Sequence, residues 1–367
     1  MIKKFSVENF RSFKDMAVLD FSTSRDYDFN KHLIRNDLIN KVLIYGPNSS
    51  GKSNLGFALM DITAHLTDST LNQPYFHFRY PINLESRKNE ILFEYVFAFG
   101  DEEVTYKYAK DQTLSLLREE IIINNKTVFF YDYINNTFSN EIEELKTINL
   151  ENRSEKLSAL KYIRNNTLSF SENNPIKLVV DFANQMLWFR SLRINEYIGP
   201  DTLPENMSSF ILKNDFVEDF NEFLRKYNVN DIAVPMQTSN GPILGSLKGN
   251  KVAPFFDVCS TGTSSLTLLY YWKKKKFNNV QFLFIDEFDA FYHIKISKAI
   301  LNELNKISSI QCVLTTHNVY LVDNSIMRPD CCFILKDGVI KNFSDRTVKT
   351  IREGNNITKM MLADEFE

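Results

Sequence analysis

The segment Gly46-Pro47-Asn48-Ser49-Ser50-Gly51-Lys52-Ser53 limits the fold more than any other stretch of this 367-residue chain. It matches G-x-x-x-x-G-K-[ST], and its flanks have the periodicity such a turn needs. Val42 to Tyr45 is a short apolar run, expected as a buried strand. Leu55, Leu59, Ile62 and Leu66 recur at helical spacing. A strand, a glycine turn and a helix N-terminus make a cradle of backbone amides for an anionic phosphate. Lys52 adds a mobile positive charge for the outer phosphates, and Ser53 offers its hydroxyl to magnesium. The candidate nucleotide contacts therefore run from Gly46 through Asn54.

Such a loop needs a carboxylate partner. Phe282-Leu283-Phe284-Ile285 ends in Asp286-Glu287, which sets two acids at the carboxyl edge of a sheet, where ligands bind in open α/β folds. Asp286 is the expected magnesium residue. Glu287 is the expected general base or water-positioning group. About thirty residues on, through one helix, Val313-Leu314-Thr315-Thr316 delivers His317 to the same edge, suited to hydrogen-bond a γ-phosphate. Cys259-Ser260-Thr261-Gly262-Thr263 precedes a helix expected over 264–272. It reads equally as a second phosphate-binding turn or as an ordinary N-cap.

Strand signals dominate the first 134 residues. Phe5 to Val7 and Val18 to Phe21 read as strands. Phe93, Tyr95, Phe97 and Phe99 alternate up to Gly100, and Val104, Tyr106 and Tyr108 alternate back. A second hairpin is expected about Asn124-Asn125, and a terminal one, Cys332 to Phe343, about Asp337-Gly338. Residues 135–235 are rich in Asn, Glu and Lys and read as a mostly helical insertion. Strand and helix alternate again from Val280, with a helix over 295–307 and a strand from Gln311. The expected class is α/β: a head assembled from 1–134 and 236–367, with a largely parallel sheet.

Composition excludes little, but what it excludes matters. With 44% hydrophobic residues the chain can bury a sizeable core, and a net charge of −3 exerts no general pull on nucleic acid. The four cysteines lack metal-ligand spacing and the five histidines form no zinc motif, so the chain is expected to be cytoplasmic with reduced thiols. No signal peptide or membrane-spanning run is apparent. Lys273 to Lys276 form the sharpest charge run. They could touch a nucleic-acid backbone, but they fit better as cations closing a helix C-terminus. The run from Tyr75 to Arg79 could stack bases; it fits better in the core.

In their order, these four pieces resemble the ABC-type ATPase head: phosphate loop, signature turn, acid pair and switch histidine. The nearest branch is SMC-like and OLD-like. Val7-Glu8-Asn9-Phe10-Arg11-Ser12-Phe13 resembles that branch's opening strand motif, and Asp286-Glu287-Phe288-Asp289-Ala290 its acid pair running into the D-loop. Gly354 to Met360 resembles the tail of short stand-alone ATPases from bacterial antiphage loci. The resemblance implies ATP and Mg²⁺ as ligands. It also implies a homodimer or higher even-numbered assembly sandwiching nucleotide, in which Ser260 and Gly262 act on the partner subunit's γ-phosphate. It departs at Thr261, which stands for a glycine, and at His293-Ile294, where His-Pro is usual. Gln73 is a weak match for the magnesium-sensing glutamine. No acidic nuclease cluster follows His317, which implies a separately encoded effector, such as a nuclease or toxin. An SMC-like DNA-repair ATPase is the alternative.

Overall fold

The computed structural model describes residues 1–67, 80–145, 150, 157–167, 170–190, 197–199, 206–363 and 365–366. Gln73 and the run from Tyr75 to Arg79 lie outside the described residues.

Two seven-stranded sheets organise the molecule. The first is an antiparallel lobe. Its strands Ile2–Glu8, Ala17–Asp20, Ile91–Phe99, Glu102–Lys110, Leu116–Ile123, Lys126–Asp132 and Thr137–Asn140 are joined mostly as hairpins. The turns form where the sequence allows a left-handed backbone. Asn124 and Asn125 have φ of 49° and 63°, as a tight hairpin turn requires. Alternation along Phe93, Tyr95 and Phe97 puts all three rings inside.

The second sheet holds the site. Its core strands are parallel, in the order Met186–Arg190, Phe282–Asp286, Gln311–Thr316, Lys41–Tyr45 and Cys332–Lys336. Antiparallel edge strands Tyr197–Ile198 and Val339–Asn342 flank them. The strand leading into the phosphate loop thus lies beside the strand leading to His317, with the acid-pair strand next in line. All five residues of Phe282–Asp286 are buried, which explains its near-continuous apolar sequence.

Two features differ from the sequence reading. Met186–Arg190, inside the stretch read as a helical insertion, is a strand of the main sheet, paired in parallel with Phe282–Asp286. Its four apolar residues are too few for periodicity to separate strand from helix. Ile232–Thr238, Gly241–Lys248 and Lys251–Pro254 form a separate three-stranded sheet, so strands begin before residue 236. The described helices of 135–235 are Ala159–Asn166, Pro175–Ala183, Met207–Lys213 and Val217–Lys226. Near the acid pair, the helix after it spans Ile294–Asn305, close to expectation.

Helix Lys52–Leu66 joins the two layers. Lys110 Nζ donates to Asp61 Oδ2 at 2.6 Å, and Tyr108 OH donates to the same oxygen at 2.9 Å, all buried. Gln311 ties the layers again, accepting from Ile2 N and donating to Ile2 O, both at 2.8 Å. Gly56 lets the helix settle on the sheet. A Cβ there would stand 2.7 Å from Trp188 Nε1 and 2.8 Å from Phe284 Cε1. Gly56→Ala is therefore expected to destabilise the protein by about 1–3 kcal/mol despite its better helix propensity. A denaturant melt against wild type checks this; equal midpoints would contradict the packing described.

Candidate functional site

The phosphate loop is shaped by backbone that side chains would obstruct. Gly51 has φ of +103°, and a Cβ on it would lie 2.5 Å from Ser12 Oγ. A Cβ on Gly46 would lie 2.6 Å from both Leu335 O and Ser50 Oγ. Ser49 also takes a positive φ of 63°. The opening motif abuts the loop here: Asn54 Nδ2 donates to Ser12 Oγ at 3.1 Å, while Asn9 Nδ2 pins the carbonyls of Lys88 and Glu90.

Lys52 is buried within its own loop and donates to Gly46 O (2.7 Å) and Pro47 O (2.9 Å). Its Nζ also lies 3.1 Å from His317 Nδ1. Burial lowers its pKa, the carboxylates of Asp286, Glu287 and Asp289 pull it back up, and it settles at about 8. Asn48 to Asn54, Glu287 and His317 line a cavity of about 460 Å³. All the phosphate-loop, acid-pair and histidine residues expected to act together thus meet at one sheet edge.

Asp286 is fully buried, and the two neighbouring strands supply its partners. Its Oδ1 accepts from Thr315 Oγ1 at 2.8 Å. Its Oδ2 accepts from Arg190 Nε at 2.9 Å and Nη2 at 2.7 Å. The same Nη2 donates to Ser53 Oγ at 2.6 Å. Thr315 Oγ1 also accepts the Glu287 N–H at 2.7 Å. That bond holds Glu287 in a left-handed conformation, φ 49°, rare for a non-glycine residue. Glu287 Oε1 then lies 3.7 Å from His317 Nε2. Arg190 and the role of Thr315 were missed in the sequence. Arg190 stands opposite Asp286 in the parallel register, a relation that no motif encodes.

The signature turn sits apart. Ser260 Oγ accepts from Thr263 N at 3.1 Å and caps helix Thr261–Lys275, which therefore starts three residues before the expected 264. Gly262 is needed where it stands, because a Cβ would approach Phe291 O to 2.9 Å. Neither Ser260 nor Gly262 lines the phosphate-loop cavity. At the other end of this helix the lysine run is engaged. Lys273 and Lys226 both donate to Glu303, Lys274 donates to Asp219 at 2.8 Å, and Lys275 donates to Tyr271 OH at 2.6 Å. Burial would raise the Glu303 pKa, but hydrogen bonds from Lys226, Lys273 and Tyr227 outweigh it and leave it at about 2.

The donors fit a magnesium–triphosphate ligand. Ser50 Oγ is buried in the loop with no hydrogen-bond partner among the described residues. Among the described residues, no cluster of three or more His, Cys, Asp or Glu could hold a metal unaided.

A family profile described as "AAA domain, putative AbiEii toxin, Type IV TA system" matches residues 42–323, from the phosphate-loop strand to just past His317. The chain belongs to this AAA-domain family. Its architecture is an antiparallel lobe beside a mainly parallel sheet that carries the phosphate loop. No curated protein matches the chain. Solved structures similar to this family member include the SMC head domain from Thermotoga maritima, at 16% identity and a TM-score of 0.44, covering 93% of this chain and 98% of that one. Another is an Smc head domain with an extended coiled coil bound to the C-terminal domain of ScpA, derived from Pyrococcus furiosus. It has 14% identity and a TM-score of 0.45, covering 93% and 95%. No described helix is long and apolar enough to cross a membrane.

Thr315 offers a direct check on this geometry. Thr315→Val is near-isosteric but strips the hydroxyl from buried Asp286 and from the Glu287 N–H. It should cost about 1–3 kcal/mol in a denaturant melt. Thr315→Ser, which keeps the hydroxyl, should cost less, and the reverse order would contradict the bridging role.

Proposed function

We propose that this chain is an ATP hydrolase that works as a homodimer or higher even-numbered assembly, sandwiching ATP between two heads. We further propose that it is the regulatory subunit of a bacterial antiphage system. In this reading its nucleotide state controls a separately encoded effector, such as a nuclease or toxin. The convergence of Lys52, Ser53, Asp286, Glu287 and His317 at one sheet edge carries the enzymatic part. The family description, a putative toxin of a type IV TA system, supports a toxin–antitoxin setting, and the effector is proposed within it.

Each residue has a physical role in this reading. Lys52 exchanges the Gly46 and Pro47 carbonyls for phosphate oxygens. Glu287, its backbone fixed by Thr315, accepts a proton from the attacking water. His317 hydrogen-bonds the γ-phosphate. Ser53 and Asp286 would hold magnesium, which would neutralise charge on the phosphate oxygens.

The signature turn lies outside the cavity, which supports its use in trans: Ser260 and Gly262 reach the nucleotide of the partner subunit. Phe256, Val258 and Phe291 are exposed near it in sequence or space, apolar surface that a second head would cover. A nucleic-acid role for the lysine run finds less support, since Lys273 and Lys274 are paired with Glu303 and Asp219. Cytoplasmic location is part of the same proposal.

Glu287→Gln should lower ATP turnover at least about a hundredfold while ATP affinity stays within a few-fold. Phosphate release and nucleotide titration measure the two. The same variant with ATP should run as a dimer in light scattering, and a persistent monomer would sink the sandwich. The Lys52 ammonium sets a pH limit. A bound phosphate anion must raise its pKa above the free value of about 8. ATP should therefore bind more weakly as pH rises above about 8, by at most about tenfold per unit, with proton uptake. Calorimetry in buffers of different ionisation enthalpy reads that uptake; proton release would reverse the sign and contradict the assignment.

A further inference from the structure

Arg190 is the group at this site that neither the phosphate loop nor the acid pair explains. Its Nη2 bridges Ser53 Oγ (2.6 Å) and Asp286 Oδ2 (2.7 Å), the two side chains placed to hold magnesium. A magnesium ion takes oxygen ligands at about 2.0–2.1 Å in near-octahedral geometry. It cannot share these two oxygens with a guanidinium nitrogen already lying between them. Asp286 is buried without solvent, and an uncompensated carboxylate there would be costly. The carboxylate therefore needs a cation whether or not metal is present, and Arg190 supplies one.

We infer that Arg190 is a built-in stand-in for magnesium, holding Ser53 and Asp286 until Mg²⁺ displaces it and then turning its guanidinium to the nucleotide phosphates. The inference rests on the reading of this pocket as a magnesium–ATP site. Three observations carry it. The guanidinium fork touches both candidate metal ligands at once. The parallel register sets Arg190 level with Asp286, at the sheet edge beside the N-terminus of helix Lys52–Leu66. The guanidinium carbon lies 5.9 Å from the Trp188 ring centroid, a face over which an arginine can pivot while keeping its charge stabilised. Planar forks also suit phosphate oxygens, and Ser53, which Arg190 already touches, lines the phosphate-loop cavity.

One consequence separates this role from a structural one. With its own cation in place, the wild-type site should tolerate loss of magnesium better than a site without Arg190. The test titrates a fluorescent ATP analogue in excess MgCl₂ and in EDTA, for wild type, Arg190→Met and Arg190→Lys. In EDTA the wild type should weaken by no more than about tenfold, and Arg190→Met should bind at least about tenfold more weakly than wild type. In MgCl₂ Arg190→Met should fall behind wild type by a smaller factor than in EDTA, since there it loses only the phosphate contact, and Arg190→Lys should fall between the others in both. With ADP present, Mg²⁺ should bind Arg190→Met at lower concentration than wild type.

Equal EDTA-to-magnesium ratios in wild type and Arg190→Met would overturn the inference and leave the ATP site standing. If Arg190→Met does not fold, the wild type decides alone: a loss in EDTA beyond about a thousandfold would show that Arg190 gives no substitute charge. Absence of nucleotide binding by wild type in MgCl₂, unchanged by Lys52→Ala, would instead remove the ATP-site reading itself.

Discussion

A carboxylate with no access to water dominates the chemistry of this head. Asp286 sits at zero exposure at the end of a wholly buried strand. A charge so placed must be matched by partners fixed within hydrogen-bond reach. Two neighbouring strands and the helix start answer that demand. Thr315 comes from the strand on one side, Arg190 from the strand on the other, and Ser53 from the helix that follows the phosphate loop. The alignment of these strands is thus set partly by the need to bring Thr315 and Arg190 to one carboxylate, with Ser53 reached through Arg190.

The antiparallel lobe meets the head through a similar device. Asp61 on helix Lys52–Leu66 is held by Lys110 and Tyr108 from the lobe. Deeper in the lobe, Glu119 accepts from Ser158 Oγ, Ala159 N, Tyr106 OH and Tyr133 OH. Burial raises the Glu119 pKa even against those donors. Such an acid fixes the start of helix Ala159–Asn166 against the sheet. His65, on the same helix as Asp61, reaches the lobe network, its Nε2 lying 2.9 Å from Tyr106 OH. Lobe and phosphate-loop helix are therefore joined by polar contacts of defined direction as well as by aromatic packing.

Much of the site was legible because its parts are local. The phosphate loop, the acid pair and His317 each end an apolar strand, and the glycines and acids are written in consecutive residues. The hairpins about Asn124-Asn125 and Asp337-Gly338 were legible for the same reason, since left-handed turns favour those residue types. Arg190 was not legible. Its strand offers four apolar residues in a stretch that otherwise reads as helix, and its meaning lies in a register with Asp286, 96 positions away. The lysine run shows the converse. A conspicuous charge block proved to be largely occupied by Glu303 and Asp219, acids from distant helices that no local pattern could assign to it.

Glu303 has a mechanical consequence. That single carboxylate fastens Lys273, near the end of the helix that begins at the Ser260 turn, to the helix that follows the acid pair, and it holds Lys226 and Tyr227 as well. The Ser260 turn and the segment after Glu287 are thus two arms of one lever with a common pivot. Displacement of either helix is therefore resisted by the other through this one shared carboxylate.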